Sequence, residues 1–207
     1  MSELYMASGH KDEACSLVRR YHYSHKESAN IQYVLTWHRE GGLFGDLGKA
    51  IAACIFTIPP ARWSEPVWEL ARLVRIDDCD INLTGLIAQA CKNIKGMIDL
   101  VVSYADWTQK HHGGIYQAAS WRFNGIRDKK MDGIYINGIY TACRTCNHMY
   151  GTHSLKKLSL ILSDTKIEPH FDEGKYLYWR ALSKSGKKKA TRLGLQSLPY
   201  PKPGAYK

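Results

Sequence analysis

The stretch Val102-Ser103-Tyr104-Ala105-Asp106, followed by His111-His112-Gly113-Gly114-Ile115-Tyr116-Gln117-Ala118-Ala119, decides the fold. The run from Leu100 to Tyr104 is apolar and bounded by a carboxylate and a glycine turn, the pattern of a buried strand that ends at Asp106. In open α/β sheets ligands bind beyond the carboxyl ends of strands, which makes Asp106 a candidate site residue. Tyr116 begins a short helix predicted over 115–121. A phenol there suits a general acid or an orienting hydroxyl, and equally a packed ring with a polar tip.

Working outward, Ala14, Leu17, Val18 and Tyr21 fall on one face of a first helix, with His22 to His25 just past its end. Tyr33 to Trp37 and Ala50 to Ile58 read as two strands joined by the Gly-rich connection 41–45, and Pro59-Pro60 ends the second. Leu70 to Ile76 is a third strand. The helix after it carries Leu86, Ile87, Ala90, Cys91 and Ile94 in one stripe and closes at Gly96. Strand, helix and strand in this order predict a right-handed parallel unit. Further strands are predicted over 133–141 and 176–182. The result is an α/β fold with a mixed central sheet flanked by helices, in one domain.

The net charge of +10 is unevenly placed. Nine Lys or Arg and no Asp or Glu lie from Lys175 to Lys207, which leaves the rest of the chain near neutral. Tyr176, Tyr178, Trp179, Tyr200 and Tyr206 are interleaved with that charge. This is the composition of a surface that neutralises phosphates and stacks on bases, and also of a solvated, poorly ordered terminus. Lys184, Lys187, Lys188, Lys189 and Arg192 are its candidate DNA contacts. No segment reaches the roughly 20 apolar residues needed to cross a bilayer, and the start lacks the order of a secretion signal, so a soluble cytoplasmic protein with reduced thiols is expected.

Several motifs bear on chemistry. A helix opening at Asn82 or Thr84 directly after a strand offers amide groups to an anion such as a cofactor pyrophosphate, or is an ordinary capped start. Arg72 is placed to add a cation there or to pair with Glu69. His22 and His25, with Asp106, His111 and His112, form a set of hard metal ligands that suits catalytic iron or another divalent ion, with unconverged loop histidines as the alternative. Cys143 and Cys146, followed by His148 and His153, match one arm of a structural zinc site, or a polar hairpin. No nucleophile elbow or Walker loop is present, which sets serine hydrolases and P-loop kinases aside.

Taken in order, Tyr21-His22-Tyr23-Ser24, Glu69-Leu70-Ala71-Arg72-Leu73, Asn82 with Thr84, Ser103-Tyr104-Ala105-Asp106, Gly114-Ile115-Tyr116-Gln117-Ala118 and Asn124-Gly125 resemble the Mom DNA-modification proteins of Mu-like phages. The short closing run Leu198-Pro199-Tyr200-Pro201-Lys202 resembles them too. The resemblance implies a GNAT-like acetyltransferase fold, with a catalytic domain over 1–174 and a C-terminal strand and basic tail over 175–207 as part of the same domain. It implies conversion of adenine in double-stranded DNA to its N6-carbamoylmethyl derivative, which protects the DNA from restriction. His22 and Asp106 fall on positions implied for iron or catalysis, with Tyr23 and Ser24 beside them. Arg72 falls on the strand facing the donor pocket and Tyr116 on the active-site tyrosine.

The chain departs from GNAT acetyltransferases in lacking the Arg/Gln-x-x-Gly-x-Gly/Ala turn. The resemblance implies acetyl-CoA or another acyl or aminoacyl small molecule as donor, and the missing turn counts against the first. Acetyl transfer alone does not give the product, because carbamoylmethylation joins N6 to a methylene carbon. Reaching N6 in a duplex requires everting the base, with Trp107, Trp121 and Phe123 as candidate stacking partners. The other readings are a GNAT-type N-acyltransferase for a small amine or protein, and a non-catalytic zinc-containing DNA-binding protein.

Overall fold

The computed structural model describes residues 4–40, 47–59, 63–77 and 81–202. The expected glycine connection at 41–45, Pro60, Cys79 and Tyr206 lie outside them. The chain divides into two compact units: Met1–Ala105 with Gly113–Gly125 and Leu177–Lys207, and Asp106–His112 with Ile126–Tyr176.

The first unit is built on a seven-stranded mixed sheet flanked by helices, the mixed central sheet expected from the sequence. Strand β1 (Leu4–Ser8) pairs antiparallel with β2 (Ile31–Glu40), β2 with β3 (Leu47–Thr57) and β3 with β4 (Trp68–Arg75). Strand β4 pairs parallel with β5 (Leu100–Asp106), across the helix α2 (Leu83–Asn93). The sheet ends with β10 (Lys175–Ala181) and then β6 (Arg122–Arg127).

Helix α1 (Lys11–Tyr21) buries Ala14, Cys15, Leu17 and Val18 against Val34, Ala53, Ile55 and Val74. Tyr21, expected on that face, is 55% exposed, because the helix ends there. On β2 the alternate residues turn the other way. Trp37 Nε1 donates to Gln89 Oε1 at 2.7 Å and the Tyr33 hydroxyl to Asn93 Oδ1 at 3.2 Å, which ties α2 to the sheet. The α2 stripe is buried as expected, with Asn82 capping it by accepting from the Gly85 amide at 2.7 Å.

The basic segment at the C-terminal end is integral to this sheet rather than a tail. In β10, Tyr176, Leu177, Tyr178 and Trp179 are buried, so these three aromatics are core and not a base-stacking surface, whereas Tyr200 is exposed. Residues Lys184–Arg192 form helix α6, which lays Ala190 against Val67, Leu100, Val102, Leu177 and Trp179. Ser183 caps α6 by accepting from the Gly186 amide and donates to Asp99 Oδ1 at 2.6 Å, while Lys189 Nζ lies 2.8 Å from Asp99 Oδ2.

Asp99 is thus the anchor of α6, and the Lys189 ammonium together with the Ser183 hydroxyl holds its carboxyl below the usual carboxylate range. A depressed folded-state pKa contributes stability above the unfolded value, near 3.9, and loses it as pH falls through the folded value. Asp99→Asn is therefore expected to lower the melting temperature by a few degrees at neutral pH. The gap from the parent should narrow as a pH series passes below about 4; a gap constant with pH would refute the assignment.

The second unit carries a three-stranded sheet, β8-β7-β9. The sequence predicts a single strand over 133–141. The chain instead forms a hairpin, β7 (Met131–Ile136) and β8 (Ile139–Ala142), because Asn137 and Gly138 both take positive φ and reverse it. Strand β9 (Ile167–Phe171) completes the sheet. Helices α4 (Cys143–Tyr150) and α5 (Leu155–Ile161) pack Cys146 and Leu158 on Ile134. Among the described residues no helix is long and apolar enough to cross a membrane.

Candidate active site

Between β4 and β5 the ladder consists of two pairs, Trp68 with Val101 and Glu69 with Val102, and the strands part beyond it. A β-bulge sits at the same point. Opposite β3, Ile55 and Phe56 face Arg72 and Leu70, so Ala71 is the extra residue that bends β4 away from β5. At the seam, Ser103 Oγ donates to the Leu70 carbonyl at 2.8 Å and lies 2.7 Å from the Tyr116 hydroxyl. A carbonyl only accepts and a serine carries one proton, so the Tyr116 phenol donates to Ser103, leaving the phenol oxygen as an acceptor.

Tyr116 lies on α3 (Gly114–Ala118) and is buried, its ring within 5.3 Å of both Trp121 and Tyr178. Gly113 makes this approach possible: its φ is +80°, and a Cβ there would lie 2.2 Å from the Tyr178 ring. Burial is the main cause that pushes the Tyr116 phenol well above its ordinary range, and the charges of Tyr23 and Glu69 push it the same way. The group therefore stays protonated at any physiological pH.

The loop after α1 is held on the same strand. Arg72 Nε donates to the Lys26 carbonyl at 3.1 Å and its Nη1 to the Ala71 carbonyl at 2.7 Å, so this guanidinium fastens the loop to the bulge. In that loop His22 is buried, and its Nδ1 accepts from the Ser24 amide at 3.1 Å and lies 2.9 Å from Ser24 Oγ. With Nδ1 accepting, the neutral ring carries its proton on Nε2. The Tyr23 ring lies 4.3 Å from that of His22. His22, Tyr23, Ser24, Arg72 and Tyr116 are all in the first unit, joined through β4 and its seam.

Other expected residues fall elsewhere or are engaged differently. Asp106 is the last residue of β5 and begins the second unit, which also holds His111 and His112. His25 is exposed, its Nδ1 2.8 Å from the Arg19 carbonyl. Asn82 is a helix cap and Thr84 is half-buried in the first turn of α2. Trp121 and Phe123 are 0% and 2% exposed, so both fill the core rather than stand open to an everted base; Phe123 alternates with exposed Arg122 on the edge strand β6, and Trp121 directly precedes it. Trp107 is half-buried, its ring 5.6 Å from that of Tyr176.

The four-residue zinc arrangement is not assembled, and neither is the polar hairpin that is its alternative. Cys143 and Cys146 lie on helix α4, where their thiols donate to the carbonyls of Met131 and Thr141, and His153 Nδ1 lies 3.0 Å from Asn147 Oδ1. Among the described residues no three His, Cys, Asp or Glu side chains gather as metal ligands. Nδ1 of His22, one of the residues expected to hold iron, is already engaged by Ser24. Of the expected DNA contacts, Lys184, Lys187 and Lys188 are exposed on α6, whereas Lys189 pairs with Asp99 and Arg192 with Glu65 at 2.6 Å.

Ser103 has no role assigned from sequence. A hydroxyl in the middle of an otherwise apolar buried strand is the signal, because such a group needs a partner.

Comparison with curated proteins finds no match. Among solved structures, the chain is similar to a Desulfovibrio desulfuricans protein assigned to the GNAT family of acetyltransferases, at 8% identity and TM-score 0.49 over 87% of this chain and 100% of that one. It is similar to an N-acetyltransferase from Staphylococcus aureus Mu50, at 9% identity and TM-score 0.47 over 88% and 100%. A third is a Bacillus subtilis acetyltransferase in complex with CoA, at 13% identity and TM-score 0.46 over 87% and 100%. At such identities and TM-scores nothing, and no site residue, is carried over from them. The Mom family model matches residues 3–202, nearly the whole sequence, and the chain belongs to the Mom protein family.

Proposed function

We propose that this chain is a phage DNA-modifying transferase that converts adenine in double-stranded DNA to N6-carbamoylmethyladenine and so protects the DNA from restriction. The family match over residues 3–202 carries the reading. The seam between β4 and β5 supports it as the place of reaction, because a buried phenol, a histidine loop and a bent strand are gathered there.

Forming a bond from N6 to a methylene carbon removes one N–H proton and breaks that carbon's bond to a leaving group of the donor, which departs with the bonding pair, and the N6 lone pair is weakly nucleophilic because it is delocalised into the ring. Two tasks follow: orienting the amine and accepting its proton. The Tyr116 oxygen, its own proton turned to Ser103, accepts a hydrogen bond from the amine. His22, with its proton on Nε2, offers a donor. A base must take the proton, the role assigned here to Asp106 from the family resemblance. Tyr23 and Ser24 hold the His22 ring in place.

The small-molecule donor, an acyl or aminoacyl compound by the family resemblance, must carry its leaving group on the methylene carbon, which acetyl-CoA in plain acetyl transfer does not. Of the residues expected to hold it, Arg72 donates to the Lys26 and Ala71 carbonyls, Asn82 accepts from the Gly85 amide, and Thr84 lies in the first turn of α2. Among the described residues no three metal-ligating side chains gather, and no part of the chemistry above runs through iron.

Mass spectrometry of nucleosides from the DNA of cells expressing the protein tests the reading. A carbamoylmethyl adduct of deoxyadenosine is expected with the parent chain, together with its loss in Asp106→Ala at equal soluble yield. Unmodified deoxyadenosine with the parent chain would end the proposal. An adduct undiminished in Asp106→Ala would remove the assigned base.

A further inference from the structure

A cleft of about 140 Å³ in the first unit is lined by Ser120, Arg122, Trp179, Arg180, Ala181 and Lys187. Three cations meet there and no carboxylate lines it. Arg122 opens the edge strand β6, with its guanidinium 5.0 Å from the centre of the Trp179 ring. Arg180 is held from the next strand by donating Nη1 to the Ala119 carbonyl at 2.7 Å. Lys187 projects from α6. The two acids that bind α6 are already paired, Asp99 with Lys189 and Glu65 with Arg192. Among the described residues no carboxylate pairs with Arg122, Arg180 or Lys187.

Bringing three like charges around one small space is unfavourable unless an anion completes it. The side-chain polar groups of the lining, a serine hydroxyl, two guanidiniums and an ammonium, are matched by a ligand that only accepts, such as a phosphate. The two arginines are each held in place, one on an indole and one on a carbonyl, so little side-chain freedom remains to be lost on binding. Lys184 and Lys188 continue the exposed cation row along α6, one turn apart. A free anion needs only the cleft. A row leading out of it fits a polymer of phosphates.

We infer that this cleft seats a backbone phosphate of duplex DNA and anchors the strand on α6, apart from the seam where chemistry is proposed. The identity of the polyanion rests on the DNA reading above. Fluorescence anisotropy of a labelled duplex, titrated over a salt series, tests it with Arg122→Gln, Lys187→Gln, their double variant and Lys49→Gln, an exposed lysine on β3, as the control for bulk charge.

Each cleft substitution is expected to weaken binding and to lower the slope of log affinity against log salt by about one, as when a single phosphate is no longer neutralised. The control should leave the slope unchanged, and thermal melts should show all variants folded. Equal effects in cleft and control variants would overturn the inference. So would a parent chain that ignores duplex DNA while free phosphate or anionic vesicles bind in a cleft-dependent way. The nucleoside assay separates the two proposals: cleft-dependent DNA binding without any adduct sinks only the chemistry, and an adduct with cleft-independent binding sinks only the cleft.

Discussion

Tyr116→Phe is expected to reduce adenine modification by about 10–100-fold, the size of losing one orienting hydrogen bond of about 1–3 kcal/mol, while hardly changing stability. The phenyl ring keeps its packing on Trp121 and Tyr178, and Ser103 keeps its bond to the Leu70 carbonyl. Ser103→Ala should behave in the opposite way. It strips a side-chain donor from the buried Leu70 carbonyl at the point where the ladder stops, at a cost of about 1–3 kcal/mol in stability. Activity there should fall less, because the phenol remains. Urea melts combined with nucleoside mass spectrometry separate the cases. If the Tyr116→Phe loss merely tracks a lower folded fraction, the ring is packing and the hydroxyl has no part in the reaction.

Gly186→Ala should destabilise the fold by about 3 kcal/mol, lowering the melting temperature by roughly 6–12 °C for a chain of this size. The sign is the informative part, since Gly to Ala inside an exposed helix ordinarily stabilises by about 1 kcal/mol. Here an added Cβ would lie 2.0 Å from the Asp99 carbonyl oxygen and 2.9 Å from its carbon. Backbone does not yield as a flexible side chain does. Helix α6 would have to lift, stretching the Ser183 and Lys189 bonds to Asp99 and drawing Ala190 out of its cluster. A calorimetric melt decides; an unchanged or raised midpoint would show that α6 moves freely over β5.

The elements with bulky apolar periodicity were legible from residues alone. The hairpin of β2 and β3, helix α2 with its stripe, β4, β5 and short α3 all stand where the sequence predicts them, within a few residues. Strands β1 and β9, edge-like and mostly exposed, and helices α4, α5 and α6 gave no such signal. Helix α4 is made largely of Cys, Arg, Thr, Asn and His with one fully buried residue, Cys146, so no stripe marks it. Helix α6 packs through Gly186 and Ala190, four apart, by close approach rather than by apolar bulk, and its lysines read as a solvated tail.

The Asn137-Gly138 pair was a hairpin signal in plain view, hidden because Ile134 to Tyr140 otherwise reads as one strand. In the candidate site, His22 and Tyr116 were legible through the family resemblance. The roles of Ser103 and of the Leu70 carbonyl depend on a bulge that opposing strands create, and no local pattern carries that.

The position of β10 bears on how the chain is made. It lies between β5 and β6, although it follows β6 by about 50 residues. At roughly 5–20 residues per second, synthesis leaves β5 and β6 without their shared neighbour for roughly 3–10 s, each with a bare edge that another nascent chain can join. A ribosome stalling before codon 175 would therefore release an aggregating fragment rather than a partly working one. Expression with chaperones present to cover those edges favours the native sheet.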